Sequence, residues 1–257
     1  MAGHNKWSKI KRKKGAADAK RSKIWARITR DIMLAAREGG GSIDMNARLA
    51  LAVDKAKAEN MPKDNIERAI KRGTGEIEGA DYEEVTYEGY GPGGVAVFVE
   101  ALTDNTNRTV ADLRSLFSKA GGNLGTSGSV AFLFDQKAVF EVPAAPETGA
   151  PVEEDDLFLL VADAGADDLR RDDDGDAAVF VVEAPSEAFG DVQAALAEAG
   201  IEPSEAALQQ IPTTTTSLPP DDAAKVLRLL DHLDDHPDVQ AVFSTLEMTD
   251  EALASIS

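Results

Sequence analysis

The chain has 257 residues, with 27 Lys/Arg against 46 Asp/Glu, a formal net charge of −19 and no cysteine. That length supports one large core or two to three smaller ones without covalent staples. The lack of cysteine excludes disulfides, thiolate zinc sites and Cys nucleophiles, as expected in a reducing compartment such as the cytoplasm. No apolar run approaches the roughly 18 residues of a membrane span, and no apolar region follows the N-terminal charges, so neither insertion nor export is expected.

The charge is unevenly spread. Met1 to Arg72 holds 19 Lys/Arg against 8 Asp/Glu, and the rest holds 8 against 38. A basic arm on an acidic body is the pattern of a chain that meets a polyanion locally, because the acidic part repels nucleic acid laid along it. The densest stretch, MAGHNKWSKIKRKKGAADAKRSKIWAR, sets Lys6, Lys9, Lys11, Arg12, Lys13, Lys14, Lys20, Arg21, Lys23 and Arg27 around one acid, Asp18. His4, Trp7 and Ile10 interleave with these cations, and Trp7 offers either a stacking face for a base or an anchor onto the fold. A solvated basic tail is the plainer alternative.

Behind Gly15, periodicity predicts a helix over about Ala16–Glu38, with Ile24, Ile28, Ile32 and Ala35 on one stripe and Gly39-Gly40-Gly41 as its stop. A second helix, about Met45–Glu59, aligns Leu49, Val53 and Ala56. A third has Pro62 near its first turn, Ile66, Ala69 and Ile70 inside and Gly73 past its end. Each stripe is too narrow to be stable alone, so a small bundle is expected, with Lys55, Lys57, Lys63, Arg68, Lys71 and Arg72 outside.

From Tyr82 the period becomes strand-like: EEVTYEGYG, GVAVFVEAL, a helix TVADLRSLFSKAG, then SVAFLFD as a further strand. The next segment reads as strand AVFEV, helix EEDDLFLLVADAG, strand DDLRRD, strand AVFVVEA, helix SEAFGDVQAALAEAG and strand EAALQQIP, the βαββαβ order of a ferredoxin-like unit. After TTTTSLPP, a helix DDAAKVLRLLDHLDDH and a strand VQAVFSTLEM lack a core of their own and are expected to complete the sheet begun near Glu83. The expected architecture is α+β and multidomain: a basic three-helix domain over 1–77, a discontinuous central α/β domain over 78–136 plus 212–249, and an acidic ferredoxin-like insert over 137–211.

GYGPGG, residues 89–94, satisfies G-x-G-x-x-G, but it lies between two strands and contains Pro92, so it is expected to be a tight hairpin loop rather than a dinucleotide site. Its Tyr90, Gly91, Pro92, Gly93 and Gly94 could also let an RNA or protein backbone approach closely. GNLGTSGSV, 122–130, contains no nucleophile elbow and is expected to be a turn. His232 and His236 stand at i, i+4 among acids, a conceivable metal pair, but helix C-termini favour His anyway and no third ligand stands at motif spacing. No catalytic set emerges; an enzyme using that His pair is the remote alternative, and no cofactor is expected.

The stretches MAGHNKWSKIKRKKGAADAKRSKIW, NMPKDNIERAIKRGTGE, YEGYGPGGVAVFVEALTDNTNRTVADLRSLFSKAGGNLGTSGSVAFLF and PPDDAAKVLRLLDHLDDHPDVQAVFSTLEM resemble the YebC/PmpR family, which also includes the mitochondrial translational activator of cytochrome oxidase. The likeness is specific through about Asp135 and weaker through the acidic insert. It implies a helical N-terminal domain followed by two α/β domains. It also implies a non-enzymatic nucleic-acid binder, either a DNA-binding transcriptional regulator or a ribosome-associated factor that binds structured RNA and helps synthesis past proline runs. Thr106 stands where relatives often carry Arg, and Ser127 where they often carry Asp, which leaves Asn105, Asn107 and Arg108 as the candidate contacts there. Asn107 is also a candidate helix cap. The expected partners are nucleic acid, DNA or ribosomal RNA, with the ribosome a further possibility. Neither a membrane nor a small-molecule substrate is expected, and the chain is expected to act as a monomer.

Overall fold

A computed structural model of the chain describes residues 17–78, 82–146, 151–173 and 178–249, with side chains from residue 24 onward. The described residues group into two compact units: Phe132–Thr215 forms one, and the chain up to Ala131 together with the chain from Thr216 forms the other. Both sheets are antiparallel, and the fold is α+β.

The larger unit opens with three helices, α1 (Ala17–Gly39), α2 (Ala47–Ala58) and α3 (Lys63–Gly73). The stripes seen in the sequence meet in one core, in which Ile28, Ile32, Leu49, Val53, Ala56, Ile66 and Ala69 are buried and Ile24, Trp25 and Ile70 pack at its edge. Asn46 caps α2, its side-chain oxygen accepting from Leu49 N–H at 3.0 Å while its amide donates to the carbonyls of Ala35 and Gly40. That single buried side chain therefore fixes both the end of α1 and the start of α2. At Gly73 a Cβ would press into the Met33 carbonyl and lie 2.8 Å from the Ala36 Cβ, so only glycine allows α3 to lie this close to α1.

The same unit continues with the hairpin β1 (Glu83–Tyr90) and β2 (Ala96–Thr103), then α4 (Thr106–Lys119) and the two-residue β3 (Asn123–Leu124); it closes with α7 (Pro220–Asp234) and β8 (Val239–Ser244). Strand order is β3-β1-β2-β8. Every residue of β2 except Glu100 is buried, as a central strand requires. The hairpin is closed by Gly91 N–H donating to the Val95 carbonyl at 2.8 Å. Gly93 sits at φ 68° with its Cα against Leu218, where a Cβ would come within 2.6 Å of a methyl group, so this turn needs glycine twice over.

The smaller unit runs β4 (Phe134–Pro143), α5 (Glu154–Asp163), β5 (Asp168–Asp172), β6 (Val179–Pro185), α6 (Phe189–Glu198) and β7 (Glu205–Pro212), with strand order β5-β6-β4-β7. Leu157 and Val161 of α5 and Val192 and Leu196 of α6 are buried, as are Phe140 and Phe180 of the sheet. The Phe140 and Phe189 rings lie 5.0 Å apart.

SVAFLFD does not form one strand of the central sheet. Ala131–Leu133 is a 3₁₀ turn, and Phe134 and Asp135 already pair with Pro212 and Ile211 in the other sheet. The alternation of Val130, Phe132 and Phe134 imitates a strand. The N–H groups of Val130 and Ala131, however, are spent on the Glu88 carboxylate rather than on a ladder.

Candidate nucleic-acid interface

Of the residues expected to touch nucleic acid, His4, Lys6, Trp7, Lys9, Lys11, Arg12, Lys13 and Lys14 lie outside the described residues. Lys20, Arg21 and Lys23 fall on the first turns of α1, where only the backbone is described. The bundle adds cations that can be placed. Lys57 pairs with Asp54 at 2.8 Å and Lys63 with Glu67 at 3.6 Å, both exposed pairs that hold their charges weakly. Arg68, Lys71 and Arg72 are exposed on α3 and have no ion-pair partner among the described residues. Their i, i+3, i+4 spacing puts them on one face, which suits them to phosphate.

Arg27 has a different role. Its guanidinium donates to the Asp234 carbonyl and lies 3.0 Å from the Asp234 carboxylate, at the C-terminal end of α7 where the helix dipole favours a cation. One turn on, Arg30 donates to the Pro237 carbonyl and approaches Asp238 Oδ1 at 3.6 Å. Asp31 accepts from Gln240 Nε2 at 3.0 Å. These three side chains bind α1 to the α7–β8 corner. Burial raises the Asp31 carboxyl to about 6, although Lys55, Arg48 and Arg27 pull it down.

Asp238 is the centre of that corner and is buried. Its Oδ2 accepts from Thr109 Oγ1 at 2.8 Å, Arg108 Nη2 at 2.9 Å and Thr103 Oγ1 at 3.3 Å. Burial works against the charge, but the bonds from Arg108 and Thr109 and the nearby guanidinium groups of Arg108 and Arg30 prevail, so the carboxyl is held below the usual range. Arg108 also bonds Asp104 at 2.8 Å, so its guanidinium is committed to two acids within the fold. Asn105, not Asn107, caps α4, accepting from Arg108 N–H at 3.0 Å because it is the residue with extended backbone just before the helix. Asn107 is exposed in the first turn.

The 89–94 segment is a hairpin loop. Tyr90 donates its hydroxyl to the Ser129 carbonyl at 3.0 Å, Gly91 is buried, Pro92 is half-buried, and only Gly93 and Gly94 are exposed at the tip. Its neighbour Glu88 was not singled out by sequence, since a Glu in an alternating strand reads as facing solvent. Here it is buried, and its carboxylate accepts from the N–H groups of Gly128, Val130 and Ala131 at 2.6, 2.7 and 2.8 Å. Those bonds outweigh the burial and hold its carboxyl low. The one available clue was the glycine-rich turn, whose donors need an acceptor.

His236 Nδ1 accepts from Asp238 N–H at 3.2 Å and its Nε2 faces Asp112 Oδ2 at 3.4 Å, while His232 is exposed. Among the described residues no group of three His, Asp or Glu could hold a metal, and no helix is long and apolar enough to cross a membrane.

A groove of about 600 Å³ opens between the C-terminal ends of α1 and α3. Met33, Leu34 and Ala36 are among its lining residues, together with Arg37, Arg72 and Tyr82.

Two family profiles match the chain: "TACO1/YebC protein N-terminal domain" over residues 5–76, and "TACO1/YebC second and third domain" over residues 82–246. A "Probable transcriptional regulatory protein" of Thermotoga petrophila is 51% identical over 256 residues, spanning 100% of this chain and 98% of that one. A similarly named protein of Chlorobaculum tepidum is 48% identical, over 99% of this chain and 98% of its own. The crystal structure of a conserved hypothetical protein from Aquifex aeolicus superposes with a TM-score of 0.82 at 40% identity, covering 93% of this chain and 95% of the other.

Proposed function

The chain belongs to the TACO1/YebC family, and from that premise we propose that it is a non-enzymatic regulator of gene expression acting by binding nucleic acid through its basic N-terminal segment. The observation that carries this reading is the charge partition: 19 basic against 8 acidic side chains up to Arg72, and 8 against 38 beyond. Polyanion binding is thereby confined to one part of the molecule. The arm and the face of α3 carrying Arg68, Lys71 and Arg72 grip phosphates. The central sheet and the inserted βαββαβ unit, read as ferredoxin-like, supply shape and partner surfaces. In this reading segment 1–77 is the gripping domain, the protein works in the cytoplasm as a single chain, and it uses no cofactor.

The names of its relatives favour transcription, and on that reading the polyanion is DNA. A second reading, structured RNA on the ribosome with relief of stalling at sequences such as proline runs, draws on the long basic arm, in which Trp7 stands among the cations as a stacking face for an unpaired base. Gel shifts with genomic fragments, run beside sucrose-gradient profiles of cell lysate, separate the two: a specific DNA shift supports the first, and co-migration with ribosomes the second. Replacing Lys11, Arg12, Lys13 and Lys14 by Ala should weaken binding to any polynucleotide and flatten the plot of log K against log salt by about one unit for each phosphate that the variant no longer neutralises. An unchanged slope would remove the arm from the interface.

A further inference from the structure

Helix α5 carries two apolar faces. One buries Leu157 and Val161 in the core of the smaller unit. About a third of a turn round the helix, Asp155, Phe158, Leu159 and Ala162 stand at the i, i+3, i+4, i+7 interval and face solvent, with Phe158 52% and Leu159 64% exposed. Large apolar side chains that adjoin on one exposed face mark an interaction surface, unlike those scattered singly. Glu154 flanks the stripe on one side, and Asp156 and Asp163 flank it on the other, all exposed.

The charge of this surface decides what can cover it. Neither α5 nor α6 contains a Lys or Arg. Residues 132–215 hold 3 Lys/Arg against 20 Asp/Glu, and those three, Lys137, Arg170 and Arg171, are paired with Asp167, Glu183 and Asp173. A polyanion is repelled here, so the occupant must bring cations together with apolar side chains. Residues 1–16 have that composition: six Lys/Arg, no acid, and Trp7 and Ile10 three positions apart among the cations. Extended, sixteen residues reach up to roughly 55 Å, on the scale of a whole domain.

We infer that the basic N-terminal arm docks on this outer face of α5, with Trp7 and Ile10 against Phe158 and Leu159 and its cations beside Glu154, Asp155 and Asp163. The docking goes beyond the reading given above and needs no nucleic acid. Its consequence rests on that reading: the same cations and the same indole serve the acidic insert or a polyanion in turn, so the insert competes for the arm and only a dense array of phosphates draws it off.

The chain has no cysteine, so Ser8→Cys with Ala162→Cys supplies the one thiol pair in the full-length protein. Under mild oxidation at low protein concentration it should close an internal disulfide, which needs Cα atoms within about 7 Å. The rate should exceed by about tenfold or more that of Ser8→Cys with Ala111→Cys, an exposed position on α4. Adding Phe158→Ser and Leu159→Ser, both exposed changes that leave the core and the charge unaltered, should remove that advantage. In the cysteine-free chain the same two serines should tighten polynucleotide binding by up to about tenfold, since an arm docked about nine-tenths of the time binds at about a tenth of its free affinity. Equal oxidation rates for the two thiol pairs, or a rate that the serines leave untouched, would overturn the docking. A disulfide formed only between chains, faster at higher protein concentration, would overturn it too and give the face to the arm of another copy. Unchanged polynucleotide affinity beside a fast, serine-sensitive disulfide would overturn the competition. The same disulfide in a chain that binds no polynucleotide would leave the docking standing and remove the nucleic-acid reading.

Discussion

Asp238→Ala deletes the acceptor that ties β2, α4, α1 and the α7–β8 corner together. The cost is set by what the deletion strands. Thr109 Oγ1 is buried and donates to the carboxylate at 2.8 Å, a bond to a charged group of about 1.5–3 kcal/mol. Thr103 Oγ1, at 3.3 Å, adds about 1 kcal/mol, and Arg30, 14% exposed and 3.6 Å away, loses a nearby counter-charge for roughly another 1 kcal/mol. The sum is about 3–5 kcal/mol, or roughly 6–20 °C in Tm at about 2–4 °C per kcal/mol. Asp238→Asn keeps an acceptor oxygen and should cost about half as much. The carboxyl lies below its usual range, so its stabilisation is complete above the unfolded-state value of about 3.9 and is lost as pH falls through the folded-state value. The gap between wild type and Asp238→Asn should therefore hold from pH 7 to about 5 and close only in stronger acid. Calorimetry across that range, with hydrogen exchange read over residues 28–36 and 96–103, checks both points. A loss below about 1 kcal/mol for Asp238→Ala, or unchanged exchange in α1, would show that this carboxylate does not organise the corner.

Asp31, raised to about 6 by burial, acts in the opposite sense: its contribution is most favourable below the unfolded-state value and is lost as pH rises through about 6. Asp31→Asn keeps the acceptor for Gln240 and should stabilise the chain by about 1–2 kcal/mol at pH 7, a gain that vanishes near pH 4; a gain independent of pH in denaturant titrations would contradict the assignment. Trp7→Ala should weaken nucleic-acid binding by about 1–3 kcal/mol with little change in salt slope if the indole stacks on a base, whereas a lower Tm at unchanged affinity would make it an anchor. Excising Phe132–Thr215 and joining the ends by a short linker should leave a folded protein, because Leu133 and Thr213 are already neighbours through a 2.9 Å backbone bond. Truncation after Thr213 should not, since it removes α7, β8 and Asp238; equal exchange protection over 96–103 in the truncated and intact chains would refute that dependence.

Much of the secondary structure was legible in the residues because periodicity is a local property. The stripes Ile24/Ile28/Ile32, Leu49/Val53/Ala56 and Ile66/Ala69 repeat at the helical interval, and they meet as one core because each is too narrow to be buried alone. The order of strands and helices from Phe134 to Pro212 was equally readable, since each element is bounded by its own change of period. Where the alternation was accidental, at Val130 to Phe134, reading it failed: the choice between ladder and turn was made by Glu88, about forty residues earlier in the chain. The charged residues divide the same way. Composition alone located the basic part of the chain, because net charge acts over distance and needs no precise geometry. Which individual cations are available was decided only by tertiary contacts. Arg27 and Arg108, indistinguishable in sequence from Arg68 and Arg72, are tied to Asp234 and Asp238 more than a hundred residues away, whereas Arg68 and Arg72 lie on an exposed helix face. A carboxylate becomes a partner, a cap or a hub according to the donors that folding brings within about 3 Å, and no spacing along the chain records that distance.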